Sequence, residues 1–217
     1  MADPRMNGST AHAVDAAESP RPRGRPRLDI DRDAVADAVA ELFAEGGYEA
    51  VSIADTAAKL SVSRSTLYRT VPTKDDLLGI LFERGTRQLT EDAQAVIAAH
   101  PDAPGDQMRE LLRIQIRAAV SMRNYLPVFF GEGNIPPDVY GRWQVWAREY
   151  EILWRDVVAR AMEAGAVEKD DPVVTARLLL GMCIWVSRWY RARGTQTADD
   201  IADAAIGMLR LGVVPDA

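Results

Sequence analysis

The sequence predicts an all-α protein, an N-terminal three-helix helix-turn-helix bundle continuous with a larger C-terminal helical domain. Three observations carry this: apolar residues recur at helical spacing along most of the chain, no alternating β pattern survives, and capping residues stand where periodic stretches begin. At 217 residues the chain has room for one large domain or a small and a medium one. The divisions expected are a disordered basic arm over 1–28, a helix-turn-helix unit over 29–73 and a second domain over 74–217.

Residues 1–28 mix Gly, Ser, Pro, Ala and charge without apolar periodicity, too little to offset the entropy of ordering. From Asp31 two rows run at i, i+4, i+8, Ala34-Ala38-Leu42 and Val35-Val39-Phe43, giving a helix that stops at Gly46-Gly47. Short helices follow over about 52–60, started by Ser52, and about 63–70, started by Ser63. Thr73 caps a long helix to about Ala99, which Pro101 and Pro104 end. Further helices are expected at about 106–122, 125–131, 138–164, 172–193 and 197–211, with a loop over Gly131–Pro137.

Composition excludes several classes of function. A single cysteine, Cys183, lies inside an apolar run and reads as core; it permits neither an internal disulfide nor a cysteine-cluster metal site. With only His12 and His100 besides, no metal and no cofactor is expected. The longest apolar run, Leu178 to Val186, is far short of the roughly 20 residues a membrane helix needs. No apolar segment marks the N-terminus as a secretory signal, so a cytoplasmic protein without a membrane partner is expected. There is no P-loop or nucleophile elbow, and Gly131-Glu132-Gly133 lacks the strand and third glycine of a dinucleotide site, so no enzyme is expected. The net charge of −6 hides an uneven distribution, with basic groups of the N-terminal third gathered at 21–32 and 59–74.

Within 52–70, Ile53, Ala57 and Leu60 face inward, Val62 plugs the turn and Leu67 holds the second helix. That leaves Arg64, Ser65, Thr66, Tyr68, Arg69 and Thr70 outward, a set of donors, hydroxyls and one aromatic at a helix start. Such residues suit a major groove, where Arg reads guanine edges and hydroxyls contact phosphates, although a helix merely showing polar groups to water has the same periodicity.

These residues resemble the TetR family of bacterial transcriptional regulators, over a contiguous stretch from Leu42-Phe43 and Gly47-Tyr48 through Ser52 and Thr66-Leu67-Tyr68 to Lys74 and Leu77-Leu78. The resemblance implies that Tyr68 and Lys74 bind phosphates and that Ser52 assists at the backbone. It also implies that Arg64, Ser65, Thr66, Arg69 and Thr70 face bases or nearby phosphates; Ser63, which starts the helix, joins the candidate DNA-binding set. Two positions depart from the family pattern. Ser61 stands where many members have Gly, which costs about 0.5–1 kcal/mol if the position needs positive φ. Val71 replaces an aromatic residue, which predicts lighter packing at the junction with the next helix.

Pro22-Arg23-Gly24-Arg25-Pro26-Arg27 looks like the core of an AT-hook, with Arg23 and Arg25 placed to enter an A·T-rich minor groove. The alternative is a tail whose arginines only add salt-dependent affinity.

In the C-terminal domain, Trp143, Trp146, Tyr150 and Trp154 form an aromatic stripe on one helix, with Tyr125, Phe129 and Phe130 on the preceding segment. Such a stripe is ordinarily core, yet so many aromatics also suit the wall of an apolar ligand cavity. TetR-like proteins place their pocket among these middle helices. The helix at 172–193 is apolar nearly all round, which calls for cover on two faces. Family resemblance pairs it and the last helix with their mates in a homodimer, making Leu178, Gly181, Met182, Trp185, Ile201, Ala205 and Met208 the candidate interface. The cluster from Trp185 to Gly194 is similar to a tail in relatives that control lipid or steroid breakdown, some of which sense acyl-CoA.

The expectation is a homodimeric repressor on double-stranded, palindromic operator DNA, released by a small apolar or amphipathic effector, lipid-like or an acyl-CoA. The rivals are a ligand-independent architectural DNA binder and a small-molecule carrier that needs neither Arg64 nor Tyr68.

Overall fold

A computed structural model describes residues 30–126 and 136–209, and the described residues form eight helices and no strand. They are α1 (Arg32–Ala50), α2 (Ile53–Lys59), α3 (Arg64–Tyr68), α4 (Lys74–Ala99), α5 (Pro104–Ser121), α6 (Pro137–Glu163), α7 (Pro172–Trp189) and α8 (Ala198–Met208). Residues 1–29, with Arg23 and Arg25, lie outside the described set, as do Phe129 and Phe130 and most of the helix expected at 125–131.

The starts follow side-chain caps. Ser52, Ser63, Thr73 and Thr197 each accept a hydrogen bond from the amide three residues on, and Thr73 and Thr197 complete capping boxes with Asp76 and Asp200. The glycine pair breaks α1 as its sequence demands: Gly47 has φ +68°, and the three residues beyond it, 48–50, resume a helical turn on a new axis. Two boundaries move. Pro104 opens α5 instead of only ending α4, because a first-turn proline has no amide to satisfy. Helix α7 stops at Trp189, four residues before the expected end, where Tyr190 turns extended at ψ 134°.

Packing divides into two main cores joined by α4. The N-terminal core gathers Val35, Val39, Leu42 and Phe43 of α1, Ala57, Leu67 and Val71 around Leu77, Leu78, Ile80 and Leu81 of α4. Val71 is fully buried, so the junction is closed without an aromatic residue. Further along α4, Leu89 and Ala93 belong to the C-terminal core with α5, α6, α7 and α8. The N-terminal core therefore extends past residue 73, and α4 is a structural member of both.

A latch of ion pairs runs along the outside of the α1–α4 contact. Arg84 Nη1 donates to Asp37 Oδ1 and to the Asp33 carbonyl, each at 2.8 Å; Arg87 meets Asp33 at 2.6 Å and Arg32 meets Glu83 at 2.7 Å. Arg142 of α6 reaches Glu83 at 3.6 Å, so three helices share this seam. Pairs this exposed each contribute about 0–1 kcal/mol, so their effect is on orientation more than on stability.

Candidate nucleic-acid interface and effector cavity

The recognition helix α3 is held by one buried residue, Leu67, and started by Ser63, whose Oγ accepts from the Thr66 amide at 3.1 Å. The same Oγ lies 2.9 Å from Ser65 Oγ and 2.7 Å from Thr66 Oγ1, a hydroxyl cluster at the helix start. Arg64, Ser65, Tyr68, Arg69 and Thr70 are exposed, Tyr68 at 61%, while Thr66 and Ser52 are half-buried. No carboxylate pairs with Arg64 or Arg69 among the described residues. Lys59, just before the turn, is by contrast bound by Glu41 and Glu45 at 2.9 Å each. Two free guanidinium groups and an uncovered phenol on one short helix make a surface ready for an anionic partner.

Lys74 at the start of α4 is half-buried, with its Nζ 3.6 Å from the centroid of the Tyr48 ring. That contact holds the ammonium beside the recognition helix without neutralising it. Ser61, in the turn, has φ +54°, the one positive value among described residues other than glycine.

The aromatic residues expected to form one pocket fall in two adjoining clusters, with Trp146 belonging to both and stacked on Tyr150 at a centroid distance of 5.0 Å. Tyr125, Trp143 and Trp146 pack around Phe82 and Val139. The space left beside Phe82, Trp143 and Trp146 is about 30 Å³, room for one water at most. Tyr150 and Trp154 lie deeper, in the C-terminal core. The Tyr150 hydroxyl donates to Gln115 Oε1 at 2.9 Å, and burial pushes its pKa well above the usual phenol value. Trp154 is wholly buried, and its indole N–H has no acceptor in hydrogen-bond geometry, although it lies close enough to Tyr150 to favour the phenolate slightly. Trp146 Nε1 donates to Thr90 Oγ1 at 2.9 Å, fixing α6 to α4.

The larger open space is a cleft of about 780 Å³ between α1, α4 and α5, which sequence reasoning did not anticipate. It shares Gly85, Leu89 and Met122 with the small aromatic space. Of the aromatic candidates among the described residues only Tyr125 reaches it; burial pushes the Tyr125 phenol up to about 12 and the Arg84 charge partly opposes that.

On the far side, α7 and α8 present apolar side chains to solvent. Leu178 is 69% exposed, Trp185 63% and Met208 77%, with Val174 and Trp189 beside them. Met182 and Ile201 are half-buried, Gly181 is exposed, and Ala205 is buried against the domain's own core. Trp185, Trp189, Ile201 and Met208 flank a groove of about 430 Å³.

A helix-turn-helix unit with an uncovered cationic recognition helix, carried on a helical domain, defines the class of helix-turn-helix regulators. Residues 35–79 match the family of bacterial regulatory proteins of the tetR type, and residues 101–213 match the tetracyclin repressor-like C-terminal domain. The latter alone covers over half of the sequence, and the chain belongs to the TetR family of transcriptional regulators. It is 22% identical over 185 residues to the HTH-type transcriptional repressor KstR2 of Rhodococcus jostii (strain RHA1), covering 84% of this chain and 90% of that protein. Among solved structures it resembles a TetR/AcrR-family regulator of Thermobifida fusca, with 27% identity, a TM-score of 0.70, and coverage of 84% of this chain and 97% of that one. It also shares the fold of AibR in complex with isovaleryl coenzyme A and operator DNA, at 22% identity and a TM-score of 0.68, covering 83% and 98% of the respective chains.

Proposed function

We propose that this regulator is a homodimeric repressor that binds a palindromic operator and leaves it when a small amphipathic effector binds. The observation that carries the reading is the uncovered set Arg64, Tyr68 and Arg69 on and just after α3, a phenol and two guanidinium groups without carboxylate partners, where most other arginines among the described residues are paired. Paired with a second copy through the apolar face of α7 and α8, two such helices reach successive major grooves about 34–36 Å apart. Leu178, Met182, Trp185, Ile201 and Met208 form the self-complementary contact, with Gly181 allowing close approach. Ser52, Ser63, Ser65, Thr66, Thr70 and Lys74 supply the surrounding phosphate contacts, and Arg23 and Arg25 of the arm enter the flanking minor groove.

The AibR complex, which holds an acyl coenzyme A and operator DNA together, supports an acyl-CoA or another lipid-like effector for this chain. For release of about 1000-fold the effector must prefer the released state by about 4 kcal/mol. Burial of about 160 Å² of apolar ligand surface in that state alone supplies this at about 25 cal/mol per Å².

Alanine at both Arg64 and Tyr68 tests the reading. Operator affinity falls by about 2–4 kcal/mol in total while helicity and any ligand affinity hold; unchanged DNA affinity would leave the carrier reading instead. Deleting residues 1–27 tests the arm. A larger loss on an A·T-flanked site than on a G·C-flanked one supports minor-groove contact, and equal losses refute it.

A further inference from the structure

We propose that the outer cleft between α1, α4 and α5 binds a single-headed amphipathic carboxylate, whose charge sits on Arg84 in exchange for Asp37. The site stands on the geometry below, and its link to DNA release rests on the regulator reading above. The cleft measures about 780 Å³, within the range of small-molecule sites, and its body is apolar, made by Leu81, Leu89, Val96, Ile114 and Met122. An apolar ligand body of about ten carbons fits such a space, whereas the aromatic space beside Trp143 and Trp146 holds about 30 Å³.

The position of the ligand's charge follows from how its two sides are solvated. The Arg84–Asp37 pair closes at 2.8 Å, but the Arg84 side chain is 34% exposed and Asp37 66%. Asp37 therefore swings into water at little cost, while the guanidinium stays at the cleft wall and needs an anion there. The exchange is of like for like, one carboxylate for another. A cation gains nothing at Arg84; the carboxylate open to it in the cleft is Asp92, at the other end. Tyr125, also lining the cleft, remains a neutral donor beside Arg84 at any physiological pH.

Other charges limit the ligand to one anionic head. Asp92 lies eight residues further along α4, about 12 Å away at about 1.5 Å per residue. It accepts from Gln88 Nε2 at 2.9 Å and has no cationic partner among the described residues. An anion at Arg84 is beyond the screening length of about 8 Å from Asp92, but a second anion at that end of the cleft is repelled. Arg117, on the α5 side, is paired with Asp199 of α8 at 2.7 Å and stands more open to water than Arg84, so Arg117→Gln is the control that separates the two cations and should leave decanoate affinity unchanged.

The same exchange reaches the DNA-binding unit. Asp37 and the Asp33 carbonyl, which Arg84 also binds, are parts of α1, and Ala36 and Ala40 of α1 line the cleft. A carboxylate on Arg84 thus removes a direct tie between α1 and α4 and inserts a body between them.

Isothermal titration of the full chain without DNA tests the site, using decanoate, with decylamine and 1-decanol as comparators. Decanoate should bind saturably, about tenfold or more weakly to Arg84→Gln, because a charge-assisted pair is lost. Asp37→Asn should bind it several-fold more tightly, since the competing carboxylate is gone, and any decylamine binding should not be weakened by Arg84→Gln. Failure of decanoate to bind, equal affinity in Arg84→Gln, or equal weakening in both variants would overturn the proposal. Sequence-selective DNA binding with no decanoate binding sinks this site but not the regulator reading. The predicted pattern in a chain that selects no DNA sequence upholds the site and sinks that reading.

Discussion

Ser61 holds φ +54° in the turn between α2 and α3, a conformation in which a Cβ crowds its own backbone. Ser61→Gly should therefore raise stability by about 0.5–1 kcal/mol, after allowing for glycine's extra freedom in the unfolded chain. A thermal midpoint that falls in this variant would mean the turn uses the serine side chain. Acids with raised pKa values make a second residue-scale prediction. Burial pushes the Cys183 thiol from its usual 9.0 to about 12, and the Tyr125 phenol from 10.0 to about 12. Between these limits the native state keeps protons that the unfolded chain releases, so stability is full below pH 9 and falls as pH rises towards 12. Unfolding midpoints measured from pH 8 to 11 should decline, and the decline should be shallower in Tyr125→Phe. Cys183 should also stay unreactive towards a thiol reagent until the chain unfolds.

At the scale of elements, the helix starts were legible because a cap is a contact between residues three apart. Ser52, Ser63, Thr73 and Thr197 could all be read in order along the chain. Thr73→Ala should cost about 1 kcal/mol by removing one half of the α4 capping box, measured by denaturant unfolding. Pro104 was harder, since a proline that stops one helix is equally at home in the first turn of the next. The exposed face of α3 was legible too, because a five-residue helix has room for only one buried side chain, Leu67, and its neighbours must face out. The outer cleft and its latch were not. Asp33 and Asp37 meet Arg84 and Arg87 across about fifty residues of sequence, and only the docking of α1 on α4 brings them together. Opposite charges at i, i+3 or i+4 on two different helices were the signal available, but it does not say which faces meet. The aromatic stripe on α6 was legible as a stripe, but not what it packs against. Trp146 meets Thr90 of α4 and Tyr150 meets Gln115 of α5, while the two rings stack on each other at 5.0 Å and so bridge the α4 and α5 contacts.

Across the whole molecule, α4 joins the two main cores, since its first two turns lie in one and its later turns in the other. On the proposed function, α4 is the element through which a ligand in the second core or the outer cleft would act on α3. The proposed second copy matters as much, because a single helix-turn-helix would cover only a half-site. Leu178→Glu together with Trp185→Glu should give a folded monomer by sedimentation, with operator affinity reduced by at least the contribution of one half-site. A variant that stays dimeric would move the interface elsewhere. The measurement that bears most directly on the central claim is fluorescence anisotropy at about 150 mM salt, comparing DNA from immediately upstream of the chain's own gene with a scrambled fragment. The account predicts a preference of about 1000-fold or more for the native fragment, erased by alanine at Arg64 and Tyr68. Equal, strongly salt-dependent binding to both fragments, unaltered by those substitutions, would contradict it.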